Sequence, residues 1–108
     1  SAMSSDEHPS YRLSPAALAD LDDIWRFTAE TWSLDQADTY IDELVVVFGV
    51  IGNLPSIARE HTEFTPPVRI HVHGSHLIVY LQRGDHVEIV RVLGGKQDWI
   101  RVLRTADL

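Results

Sequence analysis

Two stretches in the first half of the chain carry apolar residues at helical spacing, and almost no break separates them. The first begins at the N-cap Ser14, followed by Pro15 at the first helical position, where a missing N–H costs nothing. The second begins at Ser33, which forms an S-x-x-Q capping box with Gln36. The two apolar stripes consist of Leu18, Leu21, Ile24, Trp25, Thr28 and Trp32, and of Ala37, Tyr40, Ile41, Leu44, Val47, Phe48 and Ile51. This pattern predicts a tight antiparallel pair of helices that ends before Pro55.

After Pro55 the spacing changes to the alternation of β-strands. Residues 68–73 alternate strictly, Gly74-Ser75 fits a type II′ turn, and residues 77–82 form the returning strand. A second turn at residues 84–85 leads into the apolar run at residues 87–93. The sequence therefore predicts an antiparallel sheet in the second half of the chain.

The order of elements predicts an α+β fold. A short strand at residues 11–13 precedes the helices, and residues 98–108 form either a short helix or a tail. The order β-α-α-β-β-β places an N-terminal helical hairpin against a small antiparallel sheet. We expect one domain over residues 11–108, preceded by a disordered tail at residues 1–10 that begins with a cloning scar.

The register of the predicted hairpin assigns side chains to the two faces of the sheet. A two-residue loop pairs His73 with His76 and extends that pairing along both strands. The face expected to lie against the helices carries Ile70, Val72, Leu77, Val79 and Leu81. The face expected to be the outer one carries Arg69, His71, His73, His76, Ile78 and Tyr80. Arg91 in the last strand is either paired with an acidic residue or displayed beside the histidines.

Composition narrows the classes of function. The 108 residues have a formal net charge of −7, with two basic and ten acidic residues before Pro55 and seven basic and six acidic residues from there on. An acidic chain gains little from phosphate electrostatics, so broad nucleic-acid binding is disfavoured. The chain has no cysteine, which excludes disulfides and thiolate chemistry and favours the cytoplasm. No apolar run approaches the ~20 residues of a membrane span.

The histidines of residues 71–76 are the first candidates for chemistry. Three imidazoles on one face lie close enough to share a metal, but no acidic or thiolate ligand joins them and no nucleophile accompanies them for acid/base work. Gly94-Gly95-Lys96 lacks the spacing of a phosphate loop. We predict neither a metal nor a cofactor. The expected outer face is cationic and partly apolar, which suits an acidic peptide or an RNA strand.

Three stretches resemble a known family, and the likeness runs from about Tyr11 to Ile100. LSPAALADLDDIWRFTAETWSLDQADTYIDEL is similar to the paired helices of the ParE-type toxins, within the RelE/ParE superfamily of toxin–antitoxin systems. TEFTPPVRIHVHGSHLIVY and VEIVRVLGGKQDW resemble that family's sheet and closing motif. The resemblance implies an α+β toxin that a ParD-like antitoxin wraps and neutralises, and that inhibits DNA gyrase by binding, without catalysis. It also implies that operator DNA is bound only through the antitoxin.

This hypothesis assigns residues to two binding sites. The residues expected to bind the antitoxin are Arg69, His71, His73, Tyr80 and Arg91. The residues expected to bind the target, in the segment after the last strand and the tail beyond it, are Gly95, Lys96, Trp99 and Arg101. The motivation for the first set is the cationic, partly apolar face, and for the second it is exposure together with a tryptophan.

Two alternatives stay open. RelE-like ribosome-dependent mRNA endoribonucleases, the enzymatic sister group, are strongly basic and often carry a C-terminal tyrosine, whereas the last tyrosine of this acidic chain is Tyr80. The residues that such an enzyme would use here are Arg59, Arg69, Arg83, Arg91 and His71. The other alternative is a non-toxic remnant that binds the antitoxin as a corepressor.

Overall fold

The computed structural model describes residues 10–106 and 108, which form three helices and a five-stranded sheet. The strands are β1 (Tyr11–Leu13), β2 (Glu60–His61), β3 (Val68–His73), β4 (His76–Arg83) and β5 (His86–Gly94). The helices are α1 (Pro15–Thr31), α2 (Leu34–Asn53) and α3 (Trp99–Thr105), with a 3-10 turn at Pro55–Ile57 after α2. The predicted α+β class is confirmed, and β2 is an element that the sequence pattern did not reveal.

Both long helices begin at the predicted serines. The Ser14 hydroxyl accepts a hydrogen bond of 3.0 Å from the backbone N–H of Ala17, and the Ser33 hydroxyl accepts one of 3.0 Å from Gln36. Each hydroxyl thereby satisfies one of the N–H groups that the first turn of a helix leaves unpaired. Only two residues separate α1 from α2, and the indole of Trp25 donates to Asp38 across the helix pair. The predicted helical hairpin is confirmed.

The sheet has the order β1-β5-β4-β3-β2, with β1 parallel to β5 and the other pairs antiparallel. His73 pairs with His76, as predicted, and the same register continues to Arg69 and Tyr80. The two-residue loop between His73 and His76 needs Gly74, because its φ of 58° is the left-handed value of the first central residue in a type II′ turn.

The predicted assignment of faces was wrong. Ile78, Tyr80 and Val87 face α1 and α2, together with Ile89 and Val92. The opposite face, which carries Val68, Val79, Leu81, Val90 and Leu93, packs against Phe64 and Leu103. Both faces of this sheet are covered, because α3 and the connector between β2 and β3 form a second layer. The alternation of apolar residues along β3 and β4 therefore did not show on which side of the sheet the helices lie.

A bulge explains why β5 is apolar at adjacent positions. Val79 of β4 lies opposite Arg91, whereas the next residue, Tyr80, lies opposite Ile89, so Val90 is an extra residue in β5. The extra residue places Ile89 on the helix side and Val90 on the far side, each in its own apolar cluster.

Ser10, the last residue of the predicted tail, contacts the folded domain. Ser10 accepts a hydrogen bond of 3.0 Å from the backbone N–H of Val87, and it packs against Gly52 of α2. Residues 1–9 of the predicted tail lie outside the described part of the chain. Within residues 10–106 and 108, no helix combines the length and apolar character needed to cross a membrane.

Candidate protein-binding groove

The first half of α1 takes the place of a strand beside β5. β1 ends at Leu13, so the edge of β5 beyond that point has no neighbouring strand. The Ser14 hydroxyl donates to the carbonyl of Val90 over 2.8 Å, and Asp20 accepts a hydrogen bond of 2.8 Å from the N–H of Val92. These contacts satisfy backbone groups that would otherwise be left unpaired, and they fix the position of α1 along β5.

Asp20 also holds Arg91. The Nε and Nη2 atoms of Arg91 donate to the two carboxylate oxygens of Asp20 over 2.8 and 2.9 Å. Hydrogen bonding to this carboxylate raises the pKa of Arg91 despite partial burial. The alternative in which an acidic residue pairs with Arg91 is therefore the correct one. The two-pronged geometry keeps the guanidinium flat against α1.

An open groove of about 800 Å³ lies between α1 and the end of β5. Its lining consists of Asp20, Asp23, Ile24, Phe27, Ser75, His76, Arg91, Val92, Gly94, Gly95, Lys96 and Gln97. The apolar part is formed by Ile24, Phe27 and Val92, and Phe27 is 66% exposed. A large exposed aromatic side chain in a concave surface is typical of a site that a partner covers.

The segment of residues 94–97 forms one rim of the groove and is held at both ends. The side-chain carbonyl of Gln97 accepts a hydrogen bond of 2.7 Å from the N–H of Gly94. The N–H of Gly95 donates to the carbonyl of Ser75 over 2.8 Å, so the rim is attached to the tip of the β3–β4 hairpin. Lys96 is exposed on this rim and places a positive charge beside the apolar floor.

The histidines at the hairpin tip contact α2. Nδ1 of His76 lies 2.6 Å from the Tyr40 hydroxyl, and Nε2 of His73 lies 3.5 Å from Oε1 of Glu43. Burial, followed by the neighbouring His73, lowers the pKa of His76, and burial raises the pKa of Tyr40. No group of three histidine, cysteine or acidic side chains within the described residues could hold a metal ion. The contacts with Tyr40 and Glu43 fasten the hairpin to α2.

The residues predicted to bind an antitoxin do not lie together on an exposed outer face, and their role in antitoxin binding stays a prediction. Tyr80 is fully buried and its hydroxyl donates to the carbonyl of Pro55 over 2.6 Å. Arg69 donates to the carbonyl of Ala58, and both residues lie on the helix side of the sheet. His71 and His73 share that side and are partly buried. Of this set, only Arg91 borders the groove.

The residues predicted to bind the target are divided between two places. Gly95 and Lys96 lie on the rim of the groove. Trp99 lies in the apolar cluster on the far face, with its ring centroid 6.3 Å from that of Phe64. Arg101 is exposed on α3. The structure therefore makes Trp99 the anchor of α3 and leaves the rim and Arg101 accessible.

Sequence reasoning missed Asp20 and Phe27. Asp20 lies at helical spacing from the buried residues Ala17 and Ile24, so it is a carboxylate beside the buried stripe. That position was the available signal for a buried partner. Phe27 lies off the stripe, and a large aromatic residue there was a signal for an exposed binding surface.

The set of residues proposed for RNA cleavage is dispersed. Arg83 donates to Glu88 over 2.8 Å and to the carbonyl of Leu108 over 2.7 Å. Arg69 and Arg91 are held by the carbonyl of Ala58 and by Asp20. Three of the four arginines therefore have structural partners in different parts of the domain.

The fold and the groove define a small α+β domain with an open, partly apolar surface groove. The sequence model of the family described as "ParE toxin of type II toxin-antitoxin system, parDE" matches residues 11–99. The chain belongs to this ParE toxin family, and it is the toxin component of a type II toxin–antitoxin system.

Individual relatives agree with this membership. Toxin ParE1 of Caulobacter vibrioides is 39% identical over 83 residues, which cover 77% of this chain and 85% of that protein. Toxin ParE1 of Mycobacterium tuberculosis is 38% identical over 89 residues, which cover 82% of this chain and 91% of that protein. A solved structure described as "Chromosomal ParDE TA system from P. aeruginosa" matches the fold with a TM-score of 0.67 at 16% identity, over 78% of this chain and 92% of that chain.

Proposed function

We propose that this toxin acts by binding and not by catalysis, that its antitoxin occupies the groove between α1 and the end of β5, and that its target is DNA gyrase. The observation that carries the proposal is the exposed ring of Phe27 in a groove whose opposite wall is held in place by Asp20 and Arg91. Binding surfaces concentrate their energy in such aromatic residues at the centre of a concave site.

The groove also indicates the chemistry of the antitoxin segment. Ile24, Phe27 and Val92 require apolar side chains, presented at intervals along a helix or an extended strand. Lys96 on the rim is positioned to receive one carboxylate from the partner. Arg91 is already neutralised by Asp20, so it contributes a flat guanidinium surface. The ParD-like partner would therefore offer a mainly apolar segment with an acidic residue at one end, and would carry operator binding in another part of its chain.

The same rim supports a mechanism of neutralisation. Gly95 and Lys96 border the groove, and Arg101 is exposed on the helix that follows. If gyrase is engaged through this segment, an antitoxin seated in the groove covers part of the surface that the target needs. Neutralisation then results from occlusion, and antitoxin and gyrase compete for the toxin.

The dispersal of the arginines supports binding over catalysis. A ribosome-dependent nuclease needs several basic side chains that converge on one phosphate. In this domain the guanidinium groups of Arg69, Arg83 and Arg91 are committed to separate intramolecular contacts. None of them is available to stabilise a developing charge together with the others.

The antitoxin part of the proposal is tested by Phe27→Ala. We expect antitoxin affinity, measured by isothermal titration calorimetry, to fall by about 2 kcal/mol, the loss typical of a central aromatic anchor. The matched control is Trp32→Ala, because Trp32 is also a largely exposed aromatic residue and follows the same helix outside the groove. Equal affinities for the two variants would assign the antitoxin to another surface.

The target is tested with purified toxin, gyrase, relaxed plasmid and ATP. Inhibited supercoiling together with linear DNA after denaturation would establish a gyrase poison. Unchanged supercoiling by a folded toxin would remove gyrase as the target, and cleavage of mRNA on ribosomes would then identify a RelE-like activity. Lys96→Ala is expected to weaken the effect on gyrase while leaving the fold intact, because its side chain is exposed.

A further inference from the structure

Helix α2 changes character at its midpoint. Its first half carries four acidic residues, Asp35, Asp38, Asp42 and Glu43. From Leu44 to Ala58 the chain has no charged residue. A helix that is apolar on all sides is normally buried on all sides, so this half of α2 is expected to be covered completely.

The structure covers it on one side only. Leu44, Phe48 and Ile51 are fully buried against the sheet and α1. On the opposite side an apolar strip is exposed, which we call the α2 strip: Val45, Val46, Val50, Leu54 and Ile57. Val46 and Val50 lie one turn apart on α2, Leu54 follows as the C-cap of the helix, and Val46 is 67% exposed. Adjacent exposed apolar side chains of this kind mark an interaction surface.

Two glycines of α2 differ in a way that points to a close partner. A Cβ atom on Gly52 would lie 2.3 Å from the hydroxyl oxygen of Ser10, so contact within the chain explains that glycine. A Cβ atom on Gly49 would meet nothing within 4 Å. Glycine inside a helix is destabilising relative to alanine, and nothing within the described residues requires Gly49. Beside the α2 strip, it permits the close approach of a second backbone.

We propose that a second copy of this chain covers the α2 strip. Two α2 helices pack antiparallel across a two-fold axis at Val50, so that Val46 of each copy contacts Leu54 of the other. This arrangement buries only uncharged side chains. It also directs the acidic first halves of the two helices to opposite ends of the interface, where each lies near the exposed Arg59 that follows the strip of the other copy.

The size of the strip determines the strength of the contact. A standard protein interface involves about 20–30 residues on each side, whereas the α2 strip has five members. Two copies with a net charge of −7 each also repel one another. The expected product is a weak, concentration-dependent dimer that salt strengthens by screening the repulsion.

Residues 1–9 fit the α2 strip less well, and the antitoxin is proposed to bind another surface. Residues 1–9 contain a single large apolar side chain, Met3, which cannot match a strip of five. The groove proposed for the antitoxin is lined by no residue of α2, so the two surfaces are separate. The dimer therefore does not depend on the proposed role of the groove, and the two proposals can fail independently.

The experiment is sedimentation velocity on the purified chain over two orders of magnitude in concentration, for wild type, Val46→Lys and Val72→Lys. Val72 is the matched control, because it is 62% exposed and lies on the far side of the sheet. We expect Val46→Lys to weaken self-association about tenfold or more, because it buries an unpaired charge, and Val72→Lys to behave as wild type.

Cysteine cross-linking tests the geometry, because the 108 residues contain no cysteine. Val50→Cys lies at the proposed axis and should form a disulfide-linked dimer under mild oxidation, whereas Val72→Cys should not. A wild-type chain that stays monomeric at every concentration would overturn the proposal, as would equal cross-linking of the two variants. It would also be overturned if Val46→Lys lost antitoxin affinity without changing self-association, since the strip would then belong to the antitoxin.

Discussion

The two faces of the sheet are covered in different ways. On the helix side, polar groups enter the interface and each finds a partner: Asp20 binds Arg91 and a backbone N–H, and the Tyr80 hydroxyl binds the carbonyl of Pro55. On the far side, the cluster around Val79 and Leu81 is apolar, and the polar contacts of Arg83 with Glu88 and with the carbonyl of Leu108 lie at its exposed edge. The helix side is therefore held at specific positions, whereas the far side is held by burial.

This difference separates specificity from bulk stability. Apolar packing tolerates small shifts of one layer over another, whereas hydrogen bonds between buried groups accept one geometry. The helix side contains the contacts that position α1 beside β5 and thereby shape the groove. We expect substitutions on the far side to change stability alone, and substitutions on the helix side to change the groove as well.

The largest effect is expected from Leu81→Ala on the far side. Removal of this buried side chain should lower the free energy of unfolding by about 2–5 kcal/mol, through lost burial and the cavity left behind. Urea denaturation measures the loss. At temperatures where the variant is folded, its antitoxin affinity should equal that of wild type. A fall in affinity at full folding would contradict the separation of the two faces.

Asp20→Ala is expected to have the next largest effect, about 2–3 kcal/mol, because it leaves the guanidinium of Arg91 and the N–H of Val92 without their partner. Unlike Leu81→Ala, it should also weaken antitoxin binding, since α1 loses its attachment to β5. Glu88→Ala is the control, because it breaks the more exposed pair with Arg83, worth about 0.2–1 kcal/mol. Comparable losses of unfolding free energy for both variants would show that the Asp20 contact stabilises the fold no more than an exposed ion pair does.

Tyr80→Phe removes one hydroxyl from the helix side and keeps the ring. The carbonyl of Pro55 then loses its donor, so the free energy of unfolding should fall by about 1–2 kcal/mol. Thermal denaturation followed by circular dichroism is sufficient to detect this loss. An unchanged melting temperature would mean that the polar contacts of this side add little to burial.

The smallest effect is expected from pH. Burial, with a contribution from His73, lowers the pKa of His76 in the folded state. Below about pH 6.5, the ordinary pKa of histidine, this side chain therefore binds a proton more readily in the unfolded chain than in the folded chain. Stability is therefore fully present above that pH and declines as pH falls through it. In urea denaturation at a series of pH values, His76→Asn should show a shallower decline than wild type. Parallel curves would exclude a contribution from His76.

The helices and the hairpin register could be predicted because local rules determine them. Ser14 and Ser33 predict helix starts, because the hydroxyl of each accepts a hydrogen bond from a backbone N–H in the first turn of its helix. Gly74 predicts a turn, because few residues other than glycine adopt a φ of 58°. Once that turn is placed, alternation alone pairs His73 with His76. Each inference needs only neighbours in the sequence.

The face of the sheet and the groove could not be predicted because distant contacts decide them. Alternation shows that Ile70 and Val79 share a face, but which layer covers that face depends on α3 and Phe64. The bulge at Val90 depends on how β4 pairs with β5, and no single residue in the sequence predicts it. Asp20 and Arg91 are 71 positions apart, so their pairing appears only once α1 is placed beside β5.

The contacts of Asp20 have a consequence for the speed of neutralisation. Because α1 is attached to β5 before any partner arrives, the groove does not have to form during the encounter. Association should then proceed at a rate set by diffusion and orientation, without a slow conformational step on the toxin side. Differences among antitoxins that fit this groove should appear in how long each stays bound, so a toxin with a preformed groove selects its partner by residence time.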